Sequence, residues 1–210
     1  MKKIIMIFLT LITAAGAFCQ NGVIRELTGN VELKHSGASV FVPANAGDTI
    51  ESSTIVSTGF RSFAIIEVGN SVITVHPLTR LSLAEIQTRG NTENVNVNLQ
   101  AGRVSVDVNP PAGARASFRV QSPASVASVR GTSFEMDTET LTVSEGRVIY
   151  NGTAGTAAIV TGGNSSYIDI DGTPANPVEV AEVSFAPASP IGALSSETTE
   201  VTITTGYGGN

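Results

Sequence analysis

From Val23 onward the chain repeats one pattern: short runs in which every second residue is apolar, each ended by turn residues. Val95-Asn96-Val97-Asn98-Leu99 and Val104-Ser105-Val106-Asp107-Val108 show it most cleanly. Val31 and Leu33, Val120 to Val129, Leu141-Thr142-Val143 and Tyr167-Ile168-Asp169-Ile170 repeat it. A period of two places one side chain in two on the same face, so each run reads as a strand with one face on a core and one in water. Turn residues recur at Ala46-Gly47-Asp48, Thr58-Gly59, Gly69-Asn70, Ala101-Gly102, Asn109-Pro110-Pro111, Arg130-Gly131 and Glu145-Gly146. A spacing of about 8–12 residues between such breaks belongs to an all-β sandwich, barrel or solenoid. Leu81 to Arg89 is the best candidate for a helical turn, and no stretch gives a long amphipathic helix.

The residue types agree. Val (23), Ile (17) and Thr (23) far outnumber Leu (10), which suits pleated strands and not a helical bundle. With two His and one Cys in 210 residues, a Cys/His zinc site cannot be assembled within one chain. A Ser-His-carboxylate site would have to use His35 or His76. A net charge of −6 argues against a nucleic-acid partner, because phosphate binding needs Lys/Arg clusters.

Met1-Lys2-Lys3, an uncharged apolar run from Ile4 to Phe18, and the small residues Ala14-Ala15-Gly16-Ala17 have the form of a secretory signal peptide over residues 1–19. The run is too short to span a ~30 Å hydrocarbon core comfortably, and no later stretch reaches the ~18 apolar residues of a membrane helix. Its removal would leave a charge of −8. Cys19 lies at the cleavage region with three fates open: retained as a free thiol, discarded with the leader, or lipidated as an anchor, for which Phe18 is a poor preceding residue. The chain offers it no disulfide partner.

Several phrases occur in an order that resembles the FecR-domain family. They are Gly29-Asn30-Val31, Ala46-Gly47-Asp48-Thr49-Ile50, Ser57-Thr58-Gly59-Phe60-Arg61-Ser62, Ile65-Ile66-Glu67-Val68 and Val75-His76-Pro77-Leu78-Thr79-Arg80-Leu81. Leu99-Gln100-Ala101-Gly102-Arg103-Val104 follows. Then come Phe118-Arg119-Val120-Gln121-Ser122-Pro123, Val129-Arg130-Gly131-Thr132-Ser133-Phe134 and Val143-Ser144-Glu145-Gly146-Arg147-Val148. The resemblance covers residues 22–150 and runs loosely to about Thr173. It implies an all-β domain, a solenoid-like or rolled and stacked sheet, outside the inner membrane. In the family's best-known members this domain relays a signal from an outer-membrane receptor to a sigma factor. Those members also carry a cytoplasmic segment, a membrane span and a receptor-docking domain that this sequence does not show, so the sigma-factor role is not carried over. Val68-Gly69-Asn70-Ser71 stands where the family tends to have Asp-Gly-Ser. The expected organisation is a leader at 1–19, the all-β domain at 22–173, and a Pro/Gly/Ser-rich tail at 174–210. Val178 to Val183 and Thr198 to Thr205 are its candidate edge strands.

Few residues suggest chemistry, and no catalytic, cofactor or metal residue is assigned. His76 precedes Pro77, which holds it extended at a strand end, and it reads as an edge histidine rather than a general base. His35 reads as a turn residue. Asp169-Ile170-Asp171-Gly172 lacks the glycine and glutamate spacing of a calcium loop and reads as an Asp-Gly turn. Arg130-Gly131-Thr132 is the partner-binding or structural candidate. Arg130 could grip a partner carboxylate, or pair inside the fold with Glu135 or Glu145 while Gly131 turns the chain. The expected protein is an exported, non-catalytic binding or scaffolding module of the bacterial envelope, periplasmic or at the cell surface. It would contact envelope proteins or cell-wall polymer, with no cofactor and no nucleic acid. A periplasmic signalling regulator acting through a separate membrane partner is the alternative. A carbohydrate-active hydrolase with two carboxylates is the third reading.

Overall fold

The computed structural model describes residues 21–89, 92–110, 113 and 115–179. The leader, Cys19 and the tail beyond Glu179 lie outside them. Every regular element among the described residues is a strand, and the strands form two open nine-stranded sheets, neither closed into a barrel.

The first sheet is built from β1 (Gly22–Thr28), β4 (Thr49–Ile50), β6 (Phe63–Val68), β7 (Ser71–Val75), β10 (Val104–Val108), β13 (Ser133–Met136), β14 (Thr140–Glu145), β17 (Asn164–Tyr167) and β18 (Val178–Glu179). The second holds β2 (Val31–Lys34), β3 (Val42–Pro43), β5 (Ile55–Thr58), β8 (Arg80–Arg89) and β9 (Thr92–Ala101). It continues with β11 (Arg115–Gln121), β12 (Ser125–Val129), β15 (Arg147–Gly152) and β16 (Ala157–Thr161). Their spatial orders are β18-β17-β14-β13-β10-β7-β6-β1-β4 and β16-β15-β12-β11-β9-β8-β5-β2-β3. The chain crosses from one sheet to the other after nearly every hairpin, so both sheets grow side by side.

Alternation places one face of each sheet inward. Ile66, Val75, Val106, Phe134 and Leu141 of the first sheet are buried, as are Leu83, Val97, Leu99, Phe118 and Val148 of the second, in one apolar core. Fully burying each such side chain contributes about 1.5–3 kcal/mol. The sheets meet closely at Gly22, where an added Cβ would lie 3.0 Å from Leu83 Cδ1 and 3.2 Å from Val68 Cγ2.

Three expectations change. The ladders are antiparallel except for β9 with β11, which is parallel. A parallel solenoid would stack each rung parallel on the last, so the pairing does not confirm a solenoid; it shows an all-β fold of two large sheets. Leu81 to Arg89 is strand β8, not a helical turn. A register shift between Leu83 and Glu85 puts Leu81, Leu83 and Ile86 on one buried face, and this two-then-three spacing imitates helical periodicity. The run Tyr167 to Ile170 is not one strand. Strand β17 ends at Tyr167, and Gly172 N–H donates to Asp169 O at 2.9 Å, which closes a turn that leaves Ile170 fully exposed.

Candidate functional site

The crossovers converge at one end of the sandwich. Here β7 leads into β8 through His76-Pro77-Leu78-Thr79, and β9 into β10 through Gly102-Arg103. Strand β13 turns into β14 through Asp137-Thr138-Glu139. Because β10 lies between β7 and β13 in the first sheet, these three loops adjoin. Between them lies a cleft of about 530 Å³ lined by His76, Pro77, Leu78, Arg103, Asp137 and Glu139 among others.

Two buried threonines hold the His76–Thr79 loop in place. Thr58 Oγ1 donates to His76 O at 2.6 Å and accepts from Thr79 N–H at 2.9 Å. Thr79 Oγ1 donates to Arg103 O at 3.0 Å and accepts from Arg103 N–H at 2.9 Å. Leu78 N–H donates to Gly59 O at 3.2 Å. Gly102 leaves room for this pin. Its φ is +85°, and an added Cβ would lie 2.5 Å from Thr79 Cα and 2.7 Å from Leu78 O. The pinned loop holds Leu78 at φ +56°, an uncommon conformation for a γ-branched residue, with its side chain 62% exposed. Phe60, 72% exposed, stands on the neighbouring crossover with the Arg61 guanidinium over its ring at 5.5 Å.

Behind Leu78 lies a polar network. His76 Nε2 is 2.7 Å from Ser105 Oγ, and Ser105 Oγ donates to Glu135 Oε2 at 3.1 Å. Arg103 Nη1 pairs with Glu135 Oε1 at 3.2 Å, and Nη2 lies 3.9 Å from Asp137 Oδ2. The residue types are those of a Ser-His-acid triad, but the geometry is not. In a triad the acid holds the ring nitrogen remote from the serine, and the serine gives its proton to the imidazole. Here Glu135 Oε2 accepts the serine hydroxyl's hydrogen bond and lies 3.7 Å from the same nitrogen that faces the hydroxyl. Glu135 and Asp137 both engage Arg103, so neither is a free carboxylate of the kind a two-acid hydrolysis uses. Two carboxylates line the cleft (Asp137, Glu139) against one guanidinium that is already paired with Glu135, which leaves the cleft with an excess of negative charge. The cleft thus combines an exposed apolar side chain with an excess of acid.

Strand order brings Ser105, Glu135, Arg103 and Asp137 to His76, and sequence reasoning did not join them. The available signal was that the outward positions of Val104–Val108 and Ser133–Met136 hold Ser105 and Glu135 where small polar residues would suffice.

The other candidates lie elsewhere. Arg130 is exposed and pairs with neither Glu135, which Arg103 occupies, nor Glu145. Gly131 turns the chain at φ +77°, and buried Thr132 donates through Oγ1 to Arg147 O at 3.1 Å. His35 sits at a turn where its carbonyl accepts from Ala38 N–H at 3.0 Å. The acids of Asp169-Ile170-Asp171-Gly172 are spent on their own loop. Asp169 Oδ1 accepts from Ile170 N–H at 2.7 Å, and Asp171 Oδ1 from Thr173 N–H at 2.9 Å and Thr173 Oγ1 at 2.6 Å. The Thr173 bonds lower the Asp171 pKa. Cys19 lies outside the described residues.

Two crystal structures from Parabacteroides distasonis ATCC 8503, at 1.65 and 2.50 Å resolution and each described as "a putative anti-sigma factor", are similar to this chain at 13% identity with a TM-score of 0.48. Each match covers 60% of this chain and 59% of the other. No curated protein matches. The family model described as FecR protein matches residues 54–149, from the residue before β5 into β15, and so takes in every side chain of the cleft. Residues 54–149, just under half of the chain, are thus similar to the FecR family.

Proposed function

We propose that this protein is an exported, non-enzymatic signalling regulator that acts by contact with a separate membrane partner through the cleft beside Leu78. The observation that carries this reading is the FecR match itself, because the matched segment contains the whole cleft. The family match supports the regulator better than the general envelope scaffold, and no observation favours the hydrolase. Exposed Leu78 and Phe60 supply apolar anchors, and the acid excess behind them suits a basic partner segment. Export rests on the leader pattern of residues 1–19 and on the envelope association of the family.

The test is genetic. Deleting the gene should change transcription of a discrete gene set. Leu78→Asp together with Arg103→Ala should reproduce that change while the protein is exported and folded as before. Unchanged transcription in the deletion strain would sink the regulatory reading, and a fully functional double variant would move the contact away from this cleft.

A further inference from the structure

Among the described residues the two sheets have four edge strands. Strands β3 and β4 are two residues long, β3 ends on Pro43, and β18 is described over Val178–Glu179. The fourth, β16, runs five residues, Ala157-Ala158-Ile159-Val160-Thr161, with no charge and no proline. Natural sheets protect long edges with charges, prolines or bulges, because a bare edge is a template for another strand.

The ladder shows which groups face outward. Gly152 N–H donates to Thr156 O and Gly162 N–H to Gly146 O, one at each end of the β15–β16 pair. Hydrogen-bonded pairs alternate in an antiparallel ladder, so Ala158 and Val160 bond inward to β15. Ala157, Ile159 and Thr161 then turn their N–H and C=O groups to the open side. This set is symmetric about Ile159. On the outer face, Ile159 (58% exposed) lies opposite Ile149 (48% exposed), forming a short apolar strip that reaches the edge.

We propose that β16 is the interface of a two-fold dimer, in which the β16 strands of two copies of this chain pair antiparallel across Ile159. Ile159 would exchange both backbone bonds with its counterpart, and Ala157 with Thr161 of the other copy. The exposed isoleucines of the two copies would join into one row. Each copy carries a net charge of −6, so two copies repel over most of their surfaces, and an uncharged strip is where they can approach. No like charges meet in this register. Such a closed, self-complementary contact ends at two copies.

Sedimentation velocity of the purified protein over a concentration series should show a monomer–dimer equilibrium. Ile159→Lys should weaken it by about tenfold or more, because two like charges then face each other, and Ile149→Lys should weaken it less. Val40→Lys, in the exposed β2–β3 loop at the opposite edge of the second sheet, should leave it unchanged. All three side chains are solvent-exposed, so circular dichroism and melting temperature should stay near those of the parent protein. A monomer at every concentration to about 1 mM overturns the proposal. So does a dimer indifferent to Ile159→Lys, or an assembly that grows beyond two.

Discussion

The Glu93 carboxylate occupies the space left by the missing side chain of Gly69. Glu93 is on β9 in the second sheet, Gly69 in the β6–β7 turn of the first, and a Cβ on Gly69 would run into the carboxylate. Glu93 Oε2 accepts from Asn70 N–H at 3.3 Å and from Asn70 Nδ2–H at 3.2 Å, and Glu93 is 7% exposed. An acid on the inner face of one sheet thus clasps the turn of the other. Gly69 permits this twice over, by having no Cβ and by adopting φ +56°.

Gly69→Ala should therefore destabilise the protein by roughly 2 kcal/mol or more, combining backbone strain with the collision. Adding Glu93→Ala should recover the collision part and leave the strain, a coupling of roughly 1–2 kcal/mol in a double-mutant cycle. Urea denaturation of the four proteins measures it. Strict additivity would show that the two residues do not share this space.

Thr79 pins the loop that displays Leu78. Thr79→Val keeps the shape but leaves Arg103 N–H and C=O without their buried partner, which should cost about 1–3 kcal/mol. Proteolysis within His76–Arg80 should become faster. Gly102→Ala should cost roughly 3 kcal/mol or more through its left-handed backbone and its contact with Thr79. Equal melting temperatures for parent protein and Thr79→Val would contradict the pinning role.

Arg103 separates function from folding. Its side chain is 53% exposed, so losing its pairs with Glu135 and Asp137 should cost under about 1 kcal/mol. Arg103→Ala should melt close to the parent temperature yet make the cleft proposed as the contact site more negative. A large loss of stability would make Arg103 a structural residue.

Tyr150 gives a pH signature. Its ring is fully buried, its hydroxyl donates to Glu139 O at 2.7 Å, and its pKa is pushed up to about 12, chiefly by burial. In the folded protein the phenol keeps its proton at pH values where the unfolded chain, with a pKa of about 10, has lost it. The stabilisation is complete below pH 10 and is lost as pH rises through 12, amounting to about 2–3 kcal/mol. Ultraviolet titration should show one of the three tyrosines ionising late, and Tyr150→Phe should remove that step and flatten the decline in stability over this range. Three tyrosines titrating together near pH 10 would refute the burial effect.

Strand content was legible because alternation is a local property. Val95–Leu99, Val104–Val108 and Leu141–Val143 alternate in sequence, and each contributes to a strand with one buried face. The pattern misled where the backbone departs from plain pleating. The bulge near Ala84 gave β8 a helical rhythm, and the Asp169–Gly172 turn interrupted what read as a strand. The family phrases were legible for a related reason: most of them run from a strand through a turn, and five carry a glycine with positive φ (Gly29, Gly47, Gly102, Gly131, Gly146) that few side chains could replace.

By itself, then, the order of amino acids determined that the described residues are all-β, where they turn, and which family a segment of them resembles, since these follow from period, turn chemistry and short phrases. Only the tertiary structure decided that β10 lies between β7 and β13, which joins His76, Ser105, Glu135 and Arg103. It also decided that Glu93 fills the space at Gly69 and that β16, among the described residues, is left with an open side. Which strands become neighbours depends on how two apolar faces close over one core. That long-range choice is shared among many weak contacts and is written in no single stretch of sequence.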